Sequence, residues 1–203
     1  MEWIVGDTRD TNRWAWNDPI GEEAENNAWM AYFYLRDSMT LEALCGILGN
    51  MSAESHINPL QEQVFDPPVP PVQYRGLGLI QWTPPTSLTD LYGNNPTGDN
   101  ECQLVLDEIT GVVSGRFFPS VQHPEYSYTG AQYLALTDEV EASKAYFWER
   151  ERGTWSDLRA TWATHWKDIL SGEPPVPPTP ERRGMPLYFY MGKRFKRKKG
   201  LIL

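Results

Sequence analysis

The chain has 203 residues, 40% apolar and 13% aromatic, with 18 Lys and Arg against 27 Asp and Glu for a formal charge of −9. That size and apolar share suffice for one well-buried core with appendages. No apolar run reaches the roughly 18–20 residues that a membrane-spanning helix needs, and the opening MEWIVGDTRD carries acids and no apolar stretch, so no secretory signal is expected.

Residues 1–25 are polar but hold Trp3, Trp14 and Trp16, and read as an irregular arm folded onto the body by its indoles. Residues 26–38 predict an amphipathic helix whose aromatic stripe, Trp29, Tyr32 and Phe33, belongs to the core. A second helix is expected from Thr40 to Ser52. Thr40 can accept a backbone N–H as its N-cap, and Leu41, Leu44, Ile47, Leu48 and Met51 recur at three- and four-residue spacing to make one apolar face. Ala43, Gly46, Gly49 and Ala53 leave room for another element to approach closely, and Asn58-Pro59 forces a turn. Glu54 therefore lies near the C-terminal end of a largely buried helix, where the helix dipole and desolvation both disfavour a charged carboxylate. That environment suits a general acid working near neutral pH; a solvated charge at a helix end is the plain alternative. His56, two residues on, reads as a turn residue.

FDPPVPPVQY (65–74) cannot be helical and is expected as a rigid loop flanking a cleft. RGLGLIQWT (75–83) follows, alternating and with two glycines, as in a tight strand or hairpin whose backbone another molecule must approach. A phosphate-binding loop shares the Gly-x-Gly, but no Gly-rich turn here opens onto a helix and no P-loop lysine follows. A short helix at about 87–92, a helix at 101–111 closed by Gly111, a loop-rich stretch at 112–136 and helices at 138–150 and 155–170 complete the body. Phe117, Phe118, Tyr126 and Tyr128 in the loop-rich stretch serve either packing or ligand contact; Trp155, Leu158, Trp162 and Trp166 form a core stripe. Cys45 and Cys102 stand in apolar helical contexts and read as buried free thiols, with a disulfide between two helices as the alternative. His56, His123 and His165 lack ligand spacing, so neither a metal site nor a cofactor is implied.

After Ser171 the character changes. Residues 172–181, GEPPVPPTPE, form a semi-rigid polyproline-type linker. Residues 182–203 carry eight Lys/Arg and no acid, a charge of +8, while the first 181 residues keep ten Lys/Arg against all 27 acids, a charge of −17. The acidic body does not attract nucleic acid or anionic polymers. The basic tail, with MPLYFYM inside it, suits an acidic groove on a partner protein; nucleic acid and a membrane surface are its other takers, and a solubilising extension is the bland reading.

A helix ending GNMSAESHINP and followed by GLGLIQWT resembles the lysozyme-like glycosidases of bacteriophage tails, relatives of the lytic transglycosylase and goose-type lysozyme superfamily. The likeness runs upstream through NAWMAYFYLRDSMTLEALCGILGN (27–50), similar to the helix–loop–helix before that family's catalytic residue. Downstream it takes in CQLVLDEI (102–109), with Gln103, and the aromatic-rich AYFWERERG (145–153), with Glu151-Arg152, so that it covers about residues 22–172.

The resemblance implies a mainly α (α+β), lysozyme-like domain over residues 26–171, with a small β-hairpin at about 74–83 beside the catalytic helix. It implies Glu54 as the catalytic acid. Gly76, Gly78, Gln81, Trp82 and Thr83, with Ser55 beside the acid, are implied as the substrate-binding lining of a sugar cleft, and Glu151 with Arg152 as an ion pair bracing that cleft from behind. Glu62, Asp66 and Asp90 flank the motifs as candidates for a second carboxylate. A distant one holding a water gives inversion, and none at all leaves an intramolecular attack with an anhydro product. The implied activity is that of a virion-associated peptidoglycan glycosidase, muramidase or lytic transglycosylase, which cuts the host's glycan strands and is tethered to a phage tail structural protein through residues 182–203. Without a signal, such an enzyme is delivered by a particle or passes a membrane hole made by another protein. A free endolysin, and a structural tail or assembly protein with an inactive lysozyme-like fold, are the alternatives.

Overall fold

The computed structural model describes residues 1–6, 21–62, 76–114, 116–117, 119–151, 153–173 and 175. Trp14, Trp16, the 65–74 loop with Asp66, Phe118, Arg152 and the basic tail lie outside the described residues, as does most of the linker.

Helix α1 (Glu22–Leu35) opens with Glu22, Glu23 and Glu25 in its first turn, where acids complement the helix dipole. Helix α2 (Leu41–Ser55) starts at Thr40, whose side chain accepts the Ala43 N–H at 3.1 Å, and runs three residues beyond the expected Ser52. Helices α3 (Thr86–Tyr92) and α4 (Gly98–Thr110) follow, the second opened by a Thr97/Asn100 capping box and closed by Gly111 at φ 77°. Trp3 anchors the N-terminal strap by packing across Gly98 and donating its indole N–H to Asp99 at 2.8 Å. A 3₁₀ turn (Pro124–Tyr126) and a short helix α5 (Gly130–Leu134) occupy the stretch expected as loop. Helix α6 (Glu139–Tyr146) widens into one π turn (Phe147–Glu151), and α7 (Leu158–Leu170) closes the body.

Most of α2 is buried, and α6 and α7 pack along it. Two glycines set how close they come. A Cβ on Gly46 would lie 2.6 Å from the Ala142 and Ser143 backbone, and one on Gly49 would lie 2.3 Å from the Arg159 carbonyl oxygen. The aromatic stripes join this core: Trp29 and Trp166 are buried, Tyr32, Phe33 and Trp162 pack on them from the rim, and Phe117 meets Tyr133 edge-on at 5.3 Å. Cys45 and Cys102 are buried and free, and burial pushes the Cys45 thiol up to about 12.

The expected hairpin is corrected. Among the described residues there is no strand, only single antiparallel pairings of Leu77 with Trp82 and of Glu62 with Leu77. Leu77 and Trp82 exchange both backbone hydrogen bonds, at 3.2 and 2.8 Å, around a turn in which Gly78 has φ 83° and Gln81 φ 51°.

Because Gly49 faces backbone rather than a flexible side chain, Gly49→Ala is expected to lower unfolding free energy by roughly 1–3 kcal/mol, as overpacking does. Urea titration of the variant measures it, and a gain in stability would mean that α2 and α7 are less close than described.

Candidate active site

The C-terminal turn of α2 carries the candidate acid. The Glu54 side chain is 22% exposed, and its Oε1 accepts a hydrogen bond from Arg159 Nη2 at 2.5 Å. Arg159 enters from the first turn of α7 and is only 5% exposed. Its other terminal nitrogen donates to Asn50 Oδ1 at 3.1 Å, one helical turn before Glu54, and its guanidinium lies over the Phe147 ring at 4.8 Å. Asn50 is itself fixed, donating to Gly46 O at 2.9 Å and to Ser143 O at 3.0 Å. The isolated, desolvated carboxylate expected from the sequence thus has a buried guanidinium as its partner.

The glycine-rich segment closes against the same helix end. Ser55, beside the acid, donates its hydroxyl to Leu79 O at 2.8 Å and is buried, so it ties helix to loop. The Gly78 N–H donates to Gln61 O at 2.8 Å, and the Gln81 amide donates to Gln61 O and Gly78 O at 2.9 Å each. Gly76 lies against Gln81, where a Cβ would come within 2.7 Å of that side chain. Trp82 is fully buried and gives its indole N–H to Glu108 at 3.0 Å, which leaves its ring in the core rather than in an open cleft. Thr83 is exposed, its hydroxyl on Gln81 O at 3.2 Å. His56 caps α2 at φ 53°, its N–H on Met51 O and Ser52 O.

Two buried carboxylates brace this frame, and a third lies half-buried behind it. Glu101 on α4 accepts the Leu79 N–H at 2.5 Å and the Leu60 N–H at 3.2 Å, joining the segments on either side of the 63–75 stretch. Burial pushes its carboxyl up to about 8, against the downward pull of those two donors. Glu108 holds Trp82 and also pairs with Arg150 Nε at 2.7 Å. Glu151, at the end of the π turn, has a buried Oε1. Burial first, then the Glu54 charge, pushes it up to about 8, while Arg150 and Arg159 pull it down. Of the flanking acids named from the sequence, Glu62 is half-buried at its pairing with Leu77 and Asp90 is exposed on α3.

Residues 25–170, which hold both this helix end and the glycine-rich loop, match the family model described as phage tail lysozyme. The chain belongs to the phage tail lysozyme family. It is also 40% identical over 156 residues to Morphogenesis protein 1 of Bacillus phage B103, an alignment taking in 75% of this chain and 41% of that protein. The chain thus spans well under half of that relative's length. In this member of the phage tail lysozyme family no helix among the described residues is long and apolar enough to cross a membrane.

Sequence reasoning named Glu54 and the glycine-rich loop but not Arg159, Asn50, Glu101 or Glu108. A signal existed. Arg159 shares a face with Ala163, Trp166 and Leu170, and Glu101 and Glu108 flank Val105 on the buried side of α4. A charge set among apolar residues at helical spacing calls for a buried partner.

Glu101 also sets a pH dependence. Its folded value of about 8 stands above the ordinary 4.5, so between those values the folded chain holds a proton that the unfolded chain releases. Stability from this group is therefore complete on the acid side and lost as pH rises toward 8, and Glu151 acts in the same sense. Denaturation midpoints of the wild type should fall across that window and those of Glu101→Gln should fall less; equal slopes would show that Glu101 is ionised throughout.

Proposed function

We propose that this phage tail lysozyme family member is a peptidoglycan-degrading glycosidase carried by a phage virion, with Glu54 as the acid that protonates the glycosidic oxygen. The observation that carries this reading is the Glu54–Arg159–Asn50 arrangement. A partly exposed carboxyl is held in one orientation by a buried guanidinium, which is itself anchored one turn away on the same helix. Holding a reacting group in place before substrate arrives removes entropy from the barrier, and an acid so positioned typically contributes 10²–10⁴ in rate.

In this reading the cleft wall at residues 76–83 offers backbone groups and the exposed Thr83 to sugar hydroxyls. Gly76, Gly78, Gln81 and Ser55 shape that wall, and Trp82 supports it from the core. Residues 26–171 act as the catalytic unit, and the basic segment 182–203 docks on an acidic groove of a tail structural protein, held clear by the 172–181 linker. Nucleic acid and membrane are lesser partners for it. A muramidase releases reducing ends and a lytic transglycosylase releases anhydro ends, so mass analysis of murein fragments separates the two.

A second reading has its own support. The longer B103 relative is named a morphogenesis protein, which favours an assembly role with an inactive lysozyme-like fold. Glu54→Gln keeps an oxygen for Arg159 but cannot give a proton in the same way. Zymograms and turbidity clearing with this variant, on protein shown by circular dichroism to be folded because Arg159 loses its charged partner, should show at least about a hundredfold loss. Clearing at the wild-type rate would sink Glu54 as the acid and turn the reading toward assembly.

The tail is tested separately. A chain ending at Ser171 should still cut murein in solution yet be missing from purified virions by immunoblot. Tail binding should weaken steeply with salt, as screened attraction does. Truncated protein at full occupancy in particles would mean that residues 182–203 are not the anchor, and absence of the full-length chain would point to an endolysin.

A further inference from the structure

The backbone is least ordinary in the stretch that follows Glu54. Among the described residues, those other than glycine with positive φ are His56 at 53°, Ile57 at 56°, Leu60 at 62° and Gln81 at 51°. Side chains crowd the backbone in that region, Ile57 most of all because it branches at Cβ, so such conformations persist only where their surroundings hold them. His56 is held as the cap of α2, with its N–H on Met51 O and Ser52 O. Leu60 and the turn that contains Gln81 are held by one side chain from another helix.

That side chain is Glu101 of α4, which is 0% exposed. Its Oε1 accepts the Leu60 N–H at 3.2 Å and its Oε2 accepts the Leu79 N–H at 2.5 Å. Withdrawing a carboxyl from water is costly, and here both of its oxygens serve backbone donors from segments 41 and 22 positions away. Leu79 is held on its other side as well, where its carbonyl accepts the hydroxyl of Ser55, the residue after Glu54, at 2.8 Å. Gly78 makes room for the arrangement. A Cβ there would lie 2.4 Å from Glu101 Oε2 and 3.1 Å from the Trp82 ring, so the close approach that this glycine permits is made by the carboxyl.

We propose that Glu101 is a positioning residue for the glycosidase reaction: through Leu60 and Leu79 its buried carboxyl fixes the spacing between the turn after Glu54 and the cleft wall, and so sets the gap in which a sugar ring meets the acid. This rests on Glu54 being the acid and residues 76–83 the wall. Glu101 acts through Leu79, whose N–H is held by the carboxyl and whose C=O is held by Ser55 on the helix of the acid. Releasing either end lets the wall shift against α2. A misplacement of about 1 Å between a reacting group and its substrate can cost on the order of a hundredfold in rate.

Amide hydrogen exchange of the full chain, without substrate, tests the clamp. Glu101→Gln puts one oxygen and one NH₂ where two acceptor oxygens stood, so it cannot hold both donors. Exchange at Leu60, Leu79 or both should quicken by about tenfold or more; wild-type protection at both overturns the proposal. In murein assays, at a temperature where circular dichroism shows each variant folded, Glu101→Gln and Ser55→Ala should each lower kcat by about tenfold or more. The double variant should lose little more than the worse single one, because both release the same Leu79 peptide. Thr129→Ala, which loses only the cap of α5, is the destabilised comparison and should keep the wild-type kcat. A wild-type kcat in folded Glu101→Gln, or losses that multiply in the double variant, overturn the proposal. If Glu101→Gln does not fold, a wild-type kcat in Ser55→Ala does so. If Glu54→Gln cleared murein normally, the acid assignment alone would fail, and the exchange rates with the double-variant comparison would still decide what Glu101 does. A wild-type chain that cleared no murein would overturn both readings together.

Discussion

A guanidinium that is 5% exposed cannot stay in this core unless its charge is met, and the meeting of Arg159 with Glu54 is the constraint around which the domain is arranged. Removing either partner of a buried pair leaves an uncompensated charge, which is far costlier than losing a surface ion pair. The helices are placed accordingly. α7 delivers Arg159, α2 delivers both Asn50 and Glu54, and Ser143 on α6 fixes Asn50. The glycines at 46 and 49 are what let these three helices come close enough for the bonds to form.

The glycine-rich loop obeys a second, related constraint. Among the described residues its pairing stops at Leu77–Trp82 and Glu62–Leu77, and other backbone groups are met from outside. Glu101 takes the Leu79 N–H, Ser55 gives to Leu79 O, and Gln61 O receives both the Gly78 N–H and the Gln81 amide. Trp82 then pins the loop to Glu108, which carries the connection on to Arg150 and the π turn. The wall of the candidate cleft and the charges behind the candidate acid therefore belong to one polar network.

Much of this was legible in the residues. Thr40 and the apolar spacing from Leu41 to Met51 gave α2, and Gly46 and Gly49 gave its close neighbours, because caps and periodicity are local. The turn at Gly78 was legible as a tight approach, but the positive φ of Gln81 within it was not, since only glycine adopts that region readily. Helix α5 was passed over although Thr129 and Gln132 form a capping box, because its five residues are too short to show a period. Which acid meets which base was out of reach. Glu54 and Arg159 are 105 positions apart, and nothing local couples them; Arg152, the expected partner of Glu151, lies outside the described residues.

That separation has a consequence for how the chain comes into being. A chain made from its N-terminus exposes α1 and α2, with Glu54 and Asn50 already on the second, long before residue 159 is synthesised. Contacts so distant in sequence close late, because the entropy of the intervening loop must be overcome before they bring any reward. Until α7 docks, the carboxyl has no guanidinium, Gly49 faces no backbone, and Trp166 has not reached the Ser52 hydroxyl that it holds at 2.7 Å. The Glu54–Arg159 pair is thus completed by the last helix of the body, so a ribosome-bound chain stopped short of that helix carries every residue of the glycine-rich loop and a correctly capped α2, yet leaves the Glu54 carboxyl without its guanidinium.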